Sequence, residues 1–556
     1  MFSLHLVEGE MKEMKNVIEK WLESKGFDLA NLLNDEREYK VSNLDKAAAI
    51  IKEAVAKKQH IFVVADYDCD GVMSGSELYL ELTELGADFT IRFPKKMSEG
   101  YGISEKILNE APEGSLIITI DNGIAAVEVL ELAKQRGMTV VVLDHHEIRA
   151  DGKIPEVDCV VDPHIIKEDG EFEHYCGAGI GHMLAKELGL SQATIDKTMT
   201  LAAFATIQDV VPLVDNNRNI VKNGLSLLNL KKVDLPGIYA LCSALKLMPS
   251  VDLYTAITEE DLAFQIGPCI NAMGRMEDDG ARMAFEYLMH YDIYGEDGIR
   301  NIVEYNKKRK EKTVEQQNKL DILAETILAK KPKTTCLVLF DEDLLEGIIG
   351  INAAKSCEKY NMPAVVLTKA ENGMYKGSAR STDDIHMKEL LDQVEEHVLS
   401  YGGHAGAAGL TIEPDKLEDF VKAINKVTPK ATVNNNTWVY DLEIKENEIP
   451  LLYVTLRKYA PYGEGFPAPV FRINDYCLAK NYGKYYRFVG ENGVSLNGVK
   501  TEAISFTLKE KYKAFKTPLQ LNLVGTLGYS NYSKKPQIML KDFQPKVEIQ
   551  ETGFLI

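Results

Sequence analysis

The stretch "FVVADYDCDGVMSGS", residues 62–76, places three carboxylates, Asp66, Asp68 and Asp70, at the exit of a short apolar run. Like charges that close repel, and an ionised carboxylate near an apolar core is costly. Either the loop is fully solvated or something positive sits among the three. The run before it, "HIFVVAD" (60–66), reads as a strand.

Working outward, strand and helix signals alternate. "DFTIRFP" (88–94), "SLIITID" (115–121), "TVVVLDHH" (139–146) and "VDCVVDP" (157–163) are strand-like, and "GSELYLELTELGA" (75–87) and "AAVEVLELAKQRG" (125–137) are helix-like. Short apolar runs separated by helices imply a mostly parallel sheet with helices on both faces. Ligands in such sheets bind at the carboxyl ends of the strands. Two more strands end on ionisable residues: "SLIITIDNGI" on Asp121, and "TVVVLDHHE" on Asp144, His145 and His146. Later "ATIQDVVPL" puts Asp209 after another apolar stretch. One aspartate after a strand is commonly a helix cap or turn residue. Three such endings in one unit converge Asp68, Asp70, Asp121, His145 and Asp209 on one cleft. Oxygen ligands with an imidazole suit Mg²⁺ or Mn²⁺, the histidine favouring Mn²⁺. Carboxylates shared between two cations are the makings of a two-metal phosphoryl-transfer site.

Beyond this unit the reading is mainly helical, ending in a long polar-faced helix, "GIRNIVEYNKKRKEKTVEQQNKLDILAETILAKK" (298–331), expected to be a spacer between domains. A second α/β region starts at "TTCLVLFDEDL" (334–344), and a β-rich tail reads as a small barrel or sandwich. The tail segments "YYRF" (485–488) and "YSNYSKK" (529–535) mix aromatic and basic residues, as base-stacking surfaces do.

Composition narrows the classes. Apolar residues make up 45% and charged residues 27% of the 556, as in globular proteins. No run approaches the ~18 apolar residues of a membrane span, and the N-terminus "MFSLHLVEGEMKEMK" lacks the apolar core of a secretion signal. The eight cysteines form no CxxC pair and read as reduced thiols, so a cytoplasmic protein is expected. The net charge of −20 opposes nucleic-acid binding unless basic residues gather in one channel.

"DYDCDGVMS", "IDNGI", "LDHHE" and "ATIQDVVPL" resemble, in order, the four motifs of the DHH phosphoesterase superfamily, and "YGGHAGAAGLTI" (401–412) resembles the glycine-rich motif of its DHHA1 companion domain. "NAMGRMEDDGARMAFEYL" (271–288), "GSARS" (377–381) and "YAPYGEGFPAPVF" (459–471) are similar to the RecJ branch, single-strand-specific 5′→3′ exonucleases with an OB-type tail. The resemblance implies an N-terminal helical segment (1–45), a parallel-sheet DHH domain with a helical extension (46–296), a connecting helix (297–331), a DHHA1 domain (332–430) and an OB-like barrel (435–556). It implies Asp68, Asp70, Asp121, His145 and Asp209 as ligands of two Mn²⁺ or Mg²⁺ ions. Asp121 would bridge the ions, His146 would face the scissile phosphate, Asp66 would support the site and Asp144 would orient the histidines. Arg275, Ser378 and Arg380 resemble residues that hold a terminal 5′-phosphate, and Lys96 stands where the family usually has arginine. Gly403 and His404 would let backbone approach the nucleic acid.

The implied activity is hydrolysis of single-stranded DNA to 5′-mononucleotides in repair or recombination, by a monomer, with helicase and single-strand-binding protein as candidate partners. The alternatives are a DHH-type phosphodiesterase of short oligonucleotides or cyclic dinucleotides, and a non-catalytic replication scaffold. The β-rich tail argues against the former and the complete ligand set against the latter.

Overall fold

The computed structural model describes residues 2–33, 40–149, 151–165, 172–430, 439–481, 486–490, 502–505, 520–530 and 535–545. The opening apolar run forms β1 (Ile61–Val64), followed by β2 (Phe89–Arg92), β3 (Leu116–Ile120), β4 (Thr139–Leu143) and β5 (Cys159–Val161). All pair in parallel, in the order β2-β1-β3-β4-β5. β1 and β3 are buried at every position because both faces of the sheet are covered. Ile61 and Val63 share a core with the helices Leu44–Ala56, Cys69–Glu84 and Gly177–Glu187, while Phe62 and Val64 pack on the other face with Ile107 and Leu130. Each such side chain contributes roughly 1.5–3 kcal/mol by leaving water. β2 and β3 lie on opposite sides of β1, so the strand order reverses there, and a crevice opens at the carboxyl ends of β1 and β3.

The helix after β1 starts at Cys69, not at Gly75 as the sequence pattern indicates. The charges that make 66–70 read as a loop are what start the helix: the Asp68 side chain caps it, accepting from the N–H groups of Asp70 and Gly71. Only glycine fits at Gly71, where a Cβ would lie 2.3 Å from the Asp66 carbonyl. The apolar stretch before Asp209 is the end of the helix Gln192–Gln208, whose carboxyl end Asp209 caps, so Asp209 reaches the crevice from a helix and not from a strand.

Further helices lead into Tyr291–Lys330, which breaks its helical geometry at Gly295 and then connects to the second α/β unit. That unit is a sheet of β6 (Leu337–Phe340), β7 (Ala364–Lys369), β8 (Tyr375–Arg380), β9 (Ser400–Gly403) and β10 (Ala407–Ile412), ordered β6-β7-β8-β10-β9. The tail strands are β11 (Leu442–Ile444), β12 (Phe471–Asn481), β13 (Tyr486–Gly490), β14 (Glu502–Ser505), β15 (Gln520–Ser530) and β16 (Lys535–Pro545). They run in the order β11-β12-β13-β14-β16-β15, and a β12–β15 pairing closes them into a barrel, not a sandwich.

The first helix, Phe2–Ser24, belongs to the tail. Its Ile18, Trp21 and Leu22 pack with Ile449, Leu452, Phe466 and Phe471, and Lys25 pairs with Asp441 at 2.7 Å. The segment "YAPYGEGFPAPVF" is a joint between barrel and first domain. Arg218 donates to the Tyr459 carbonyl at 2.6 Å, and Arg457 pairs with the buried Glu259 at 2.8 Å. Tyr529, expected on a base-stacking surface, faces Tyr254 and Tyr453 at this joint, with ring centroids 5.5 and 5.9 Å away. The "YYRF" side chains and residues 531–534 lie outside the described residues. No helix among the described residues is long and apolar enough to cross a membrane.

Candidate active site

The crevice gathers the strand-end residues. Nε2 of His145 lies 3.0 Å from an Asp121 oxygen, 3.6 Å from Asp70 and 3.8 Å from Asp209. Three overlapping groups have ligand-type atoms within 4.8 Å of one another: Asp121–His145–His146, Asp70–His145–Asp209, and Asp66–Asp68–Asp121. Asp66, for which the sequence implies only support, thus stands among the potential ligands. Its Oδ1 is buried without a hydrogen-bond partner.

Each carboxylate is held by a different device. Asp70 accepts from the N–H groups of Gly177 (2.6 Å) and Ala178 (2.7 Å), at the amino end of the helix Gly177–Glu187. Even so, burial and then the charge of Asp68 push its carboxyl up to about 6. Burial, with Asp70 and Asp68, likewise pushes Asp209 to about 8, and burial with the neighbouring aspartates raises Asp66 and Asp121 well above the ordinary range. Burial, then His146, pulls His145 down to about 3, leaving its imidazole neutral at physiological pH. Asp121 has a φ of +61°, a conformation Asp and Asn tolerate better than most residues.

Asp144 is hydrogen-bonded to the His146 ring and to the His145 backbone. It accepts from His146 Nδ1 and the His145 N–H, both at 2.8 Å, and through its other oxygen from Ile124 N–H at 2.8 Å. Burial raises its carboxyl, but these donors and the histidine charges outweigh that and hold it low. His146 is pushed down by burial and up more strongly by Asp144, ending at about 9.

Beside the carboxylates lies a cluster of positive charge. Lys96 Nζ sits 4.5 Å over the Tyr67 ring, and burial followed by repulsion from Arg275 lowers it to about 8. Arg275 reaches the Gly347 carbonyl of the second α/β unit at 3.4 Å. Arg380 donates to Ser378 Oγ at 2.9 Å and to the Ala379 carbonyl at 2.8 Å. Burial and then Arg275 lower both Arg380 and Arg309. Among the described residues, no carboxylate forms an ion pair with Lys96, Arg275, Arg309 or Arg380. Asp68 acts on Lys96 and Arg275 only from beyond ion-pair distance, and buried, mutually repelling cations that no carboxylate pairs with suit an anion.

His404, between β9 and β10, is exposed, with its Nδ1 3.5 Å from Glu147, the residue after His146. Gly403 is required by the sheet itself, since a Cβ there would lie 2.3 Å from the Ala407 carbonyl. Above Gly402 and Gly409, paired across β9 and β10, the surface is open, and Ser378 of β8 continues the row.

Four features escape a reading of the motifs. Tyr101 donates to the Asp121 carbonyl at 3.1 Å and stands 3.2 Å from His146. Asn122 ties β1 to β3 through the Val64 (3.0 Å) and Ile120 (2.8 Å) carbonyls. Arg309, on the long helix, joins the basic cluster. The Gly177–Ala178 amides hold Asp70, and their signal was the glycine run "GAGIG" (177–181) at a helix start. A Cβ at Gly177 would lie 2.6 Å from that of Asp121. Gly177→Ala is therefore expected to cost about 1–3 kcal/mol, read as a lower Tm, with hydrolysis falling further than stability alone explains.

Residues 60–207 match the DHH family N-terminal domain, 332–429 the DHHA1 domain and 440–542 the RecJ OB domain. The chain is 29% identical to the single-stranded-DNA-specific exonuclease RecJ of Bacillus subtilis, over 91% of this chain and 64% of that one. It is 30% identical to the Haemophilus influenzae protein of the same name, over 87% of this chain and 86% of that one. The fold is similar to a Thermus thermophilus RecJ structure in complex with Mn²⁺ (TM-score 0.75, 24% identity, 92% of this chain and 73% of that one). It is also similar to a manganese-bound exonuclease RecJ (TM-score 0.59, 29% identity, 70% and 95%). With its three domains in order and its carboxylates and arginines on facing units, the chain belongs to the RecJ family of single-stranded-DNA-specific exonucleases.

Proposed function

We propose that the protein hydrolyses single-stranded DNA from its 5′ end, releasing 5′-mononucleotides with Mn²⁺ or Mg²⁺. The observation that carries this reading is the junction of two opposite chemistries: a buried carboxylate–imidazole cluster, and an arginine cluster, contributed by both α/β units, with which no carboxylate forms an ion pair among the described residues.

The residues fit divalent cations. Three elements bring carboxylate oxygens of Asp70, Asp121 and Asp209 to within 3.8 Å of one neutral imidazole, Asp66 keeps an unpartnered buried oxygen, and burial together with each other's charge pushes the carboxyls upward. Asp68, Asp70, Asp121, His145 and Asp209 would hold two ions, with Asp66 adjoining. When bound, the ions would polarise the scissile phosphate, activate the attacking water and offset charge on the leaving oxygen. His146, held by Asp144, would face the phosphate. Arg275, Arg380 and Ser378 would grip the terminal 5′-phosphate, a dianion that internal phosphodiesters lack, and Lys96 would contact the backbone. The manganese in the related structures supports the metal assignment.

Cation binding should be visible without any substrate. At Mn²⁺ a hundredfold above Kd the folded state gains about 2.7 kcal/mol, so Tm should rise and fall again with chelator. A Tm unmoved by Mn²⁺ would argue against the centre. A substrate-length series tests the activity. Processing of long strands to mononucleotides is expected, whereas activity confined to dinucleotides would favour a small-substrate phosphodiesterase.

A further inference from the structure

We infer that Asn271 is a positioning residue that fixes the span between the metal-ligand loop and the arginine cluster, and so sets how many nucleotides are cut off; this rests on the exonuclease reading above. Asn271 and Arg275 lie four residues apart on the helix Gly267–Met276, so both project from one face. Asn271 Oδ1 accepts from Cys69 N–H at 2.9 Å. Cys69 is the first residue of the helix that carries Asp70, and its N–H is one that a helix cannot satisfy internally. Asp68 satisfies the next two, so Asn271 completes the anchoring of this turn.

The other end of the Asn271 amide is also fixed. Nδ2 donates to Gln208 Oε1 at 3.2 Å, and Gln208 Nε2 donates to the Leu262 (2.9 Å) and Ala263 (3.1 Å) carbonyls. These carbonyls belong to a π-helical turn, Leu262–Ile266, which runs directly into the Asn271 helix. Gln208 precedes Asp209, so two amides tie together the Asp68–Asp70 loop, the Asp209 cap and the Arg275 helix.

Close backbone approaches make the tie rigid. A Cβ at Gly274 would lie 2.7 Å from the Tyr67 carbonyl, one at Gly267 1.9 Å from the Gln208 side chain, and one at Gly347 1.9 Å from the Arg275 carbonyl. The helix thus spans from the ligand loop to the second α/β unit with no slack at either end. Its Asn271-to-Arg275 turn, about 6 Å of rise, separates the group that holds the ligands from the group that grips the end.

Two variants delete the same hydrogen bond from opposite sides. Asn271→Ala removes the acceptor. Cys69→Pro removes the donor, at the helix position that best accepts proline, after an Asp68 backbone (φ −95°, ψ −166°) already in the extended region that precedes proline. Products are sized on 5′-phosphorylated single strands with Mn²⁺, alongside the Mn²⁺-dependent Tm shift and strand affinity. The expected result is that each variant releases dinucleotides and longer fragments as at least about a tenth of product. The rate advantage of a 5′-phosphate over a 5′-hydroxyl should fall about tenfold, while strand affinity changes less than about threefold. The double variant should be no worse than the weaker single one. Variants that slow the reaction but keep mononucleotide product and the 5′-phosphate advantage, or whose effects add, would overturn the inference. If Asn271→Ala does not fold, Cys69→Pro decides on the same two readouts. A parent protein that yields no mononucleotides would instead sink the exonuclease reading.

Discussion

Replacing Asp121 with asparagine is expected to abolish hydrolysis while leaving single-strand binding within about threefold of the parent. Asn keeps the shape and accepts the φ of +61° at this position, so the backbone and the contact with Gly177 survive. What is lost is the charge of the carboxylate that belongs to two of the three ligand groups and stands 3.0 Å from His145 Nε2. Losing it disturbs both proposed ion positions at once, whereas losing Asp209 disturbs one. A fall of at least about a thousandfold in kcat, ~4 kcal/mol, is expected. The Mn²⁺-dependent rise in Tm should shrink in parallel. Asp121→Ala should behave likewise, with an added stability loss from alanine at positive φ. Near-parent turnover in Asp121→Asn, freed of contaminating nuclease, would remove Asp121 from the site.

Arg380→Ala should lower kcat/KM about tenfold to a hundredfold on 5′-phosphorylated strands and clearly less on 5′-hydroxyl strands. A charge-assisted hydrogen bond contributes about 1.5–3 kcal/mol, which converts to that range. Arg380 is suited to this because, among the described residues, no carboxylate forms an ion pair with it. Its present partners are a serine hydroxyl and a backbone carbonyl, and Arg275 repels it. An arriving dianion relieves that repulsion as well as forming new bonds. Steady-state kinetics on the two substrates check this, and an equal loss on both would mean that Arg380 does not read the end.

The strand-end ligands were legible because a parallel sheet delivers every strand exit to one edge, so "VVAD", "TID" and "VLDHH" could be superposed without coordinates. Asp209 is legible through its motif, but the element that carries it is not. "ATIQ" is apolar enough for a strand, yet it ends a helix whose buried face, Leu201–Thr206, supplies the apolar run. Asp68 and Asp70 sit in the first helical turn, where charge repulsion suggested open loop and capping made helix. Asn271 and Gln208 lie within the motifs, but their pairing is not legible there, because an amide such as Asn271, bonded to a backbone N–H some two hundred residues away, looks like any surface amide. Arg309 was hidden in a long run of lysines and glutamates, where one inward-facing residue breaks no pattern. The first helix could not be assigned to the tail, since nothing local in "MKNVIEKWLES" distinguishes a barrel as its partner.

The most direct measurement is a time course on one single strand of DNA, 5′-phosphorylated, labelled at the 5′ end in one sample and at the 3′ end in the other, with Mn²⁺. The account predicts that the 5′ label appears at once as mononucleotide while the 3′-labelled strand shortens one nucleotide at a time. Early release of the 3′ label as mononucleotide, or of internal fragments from either sample, would contradict it.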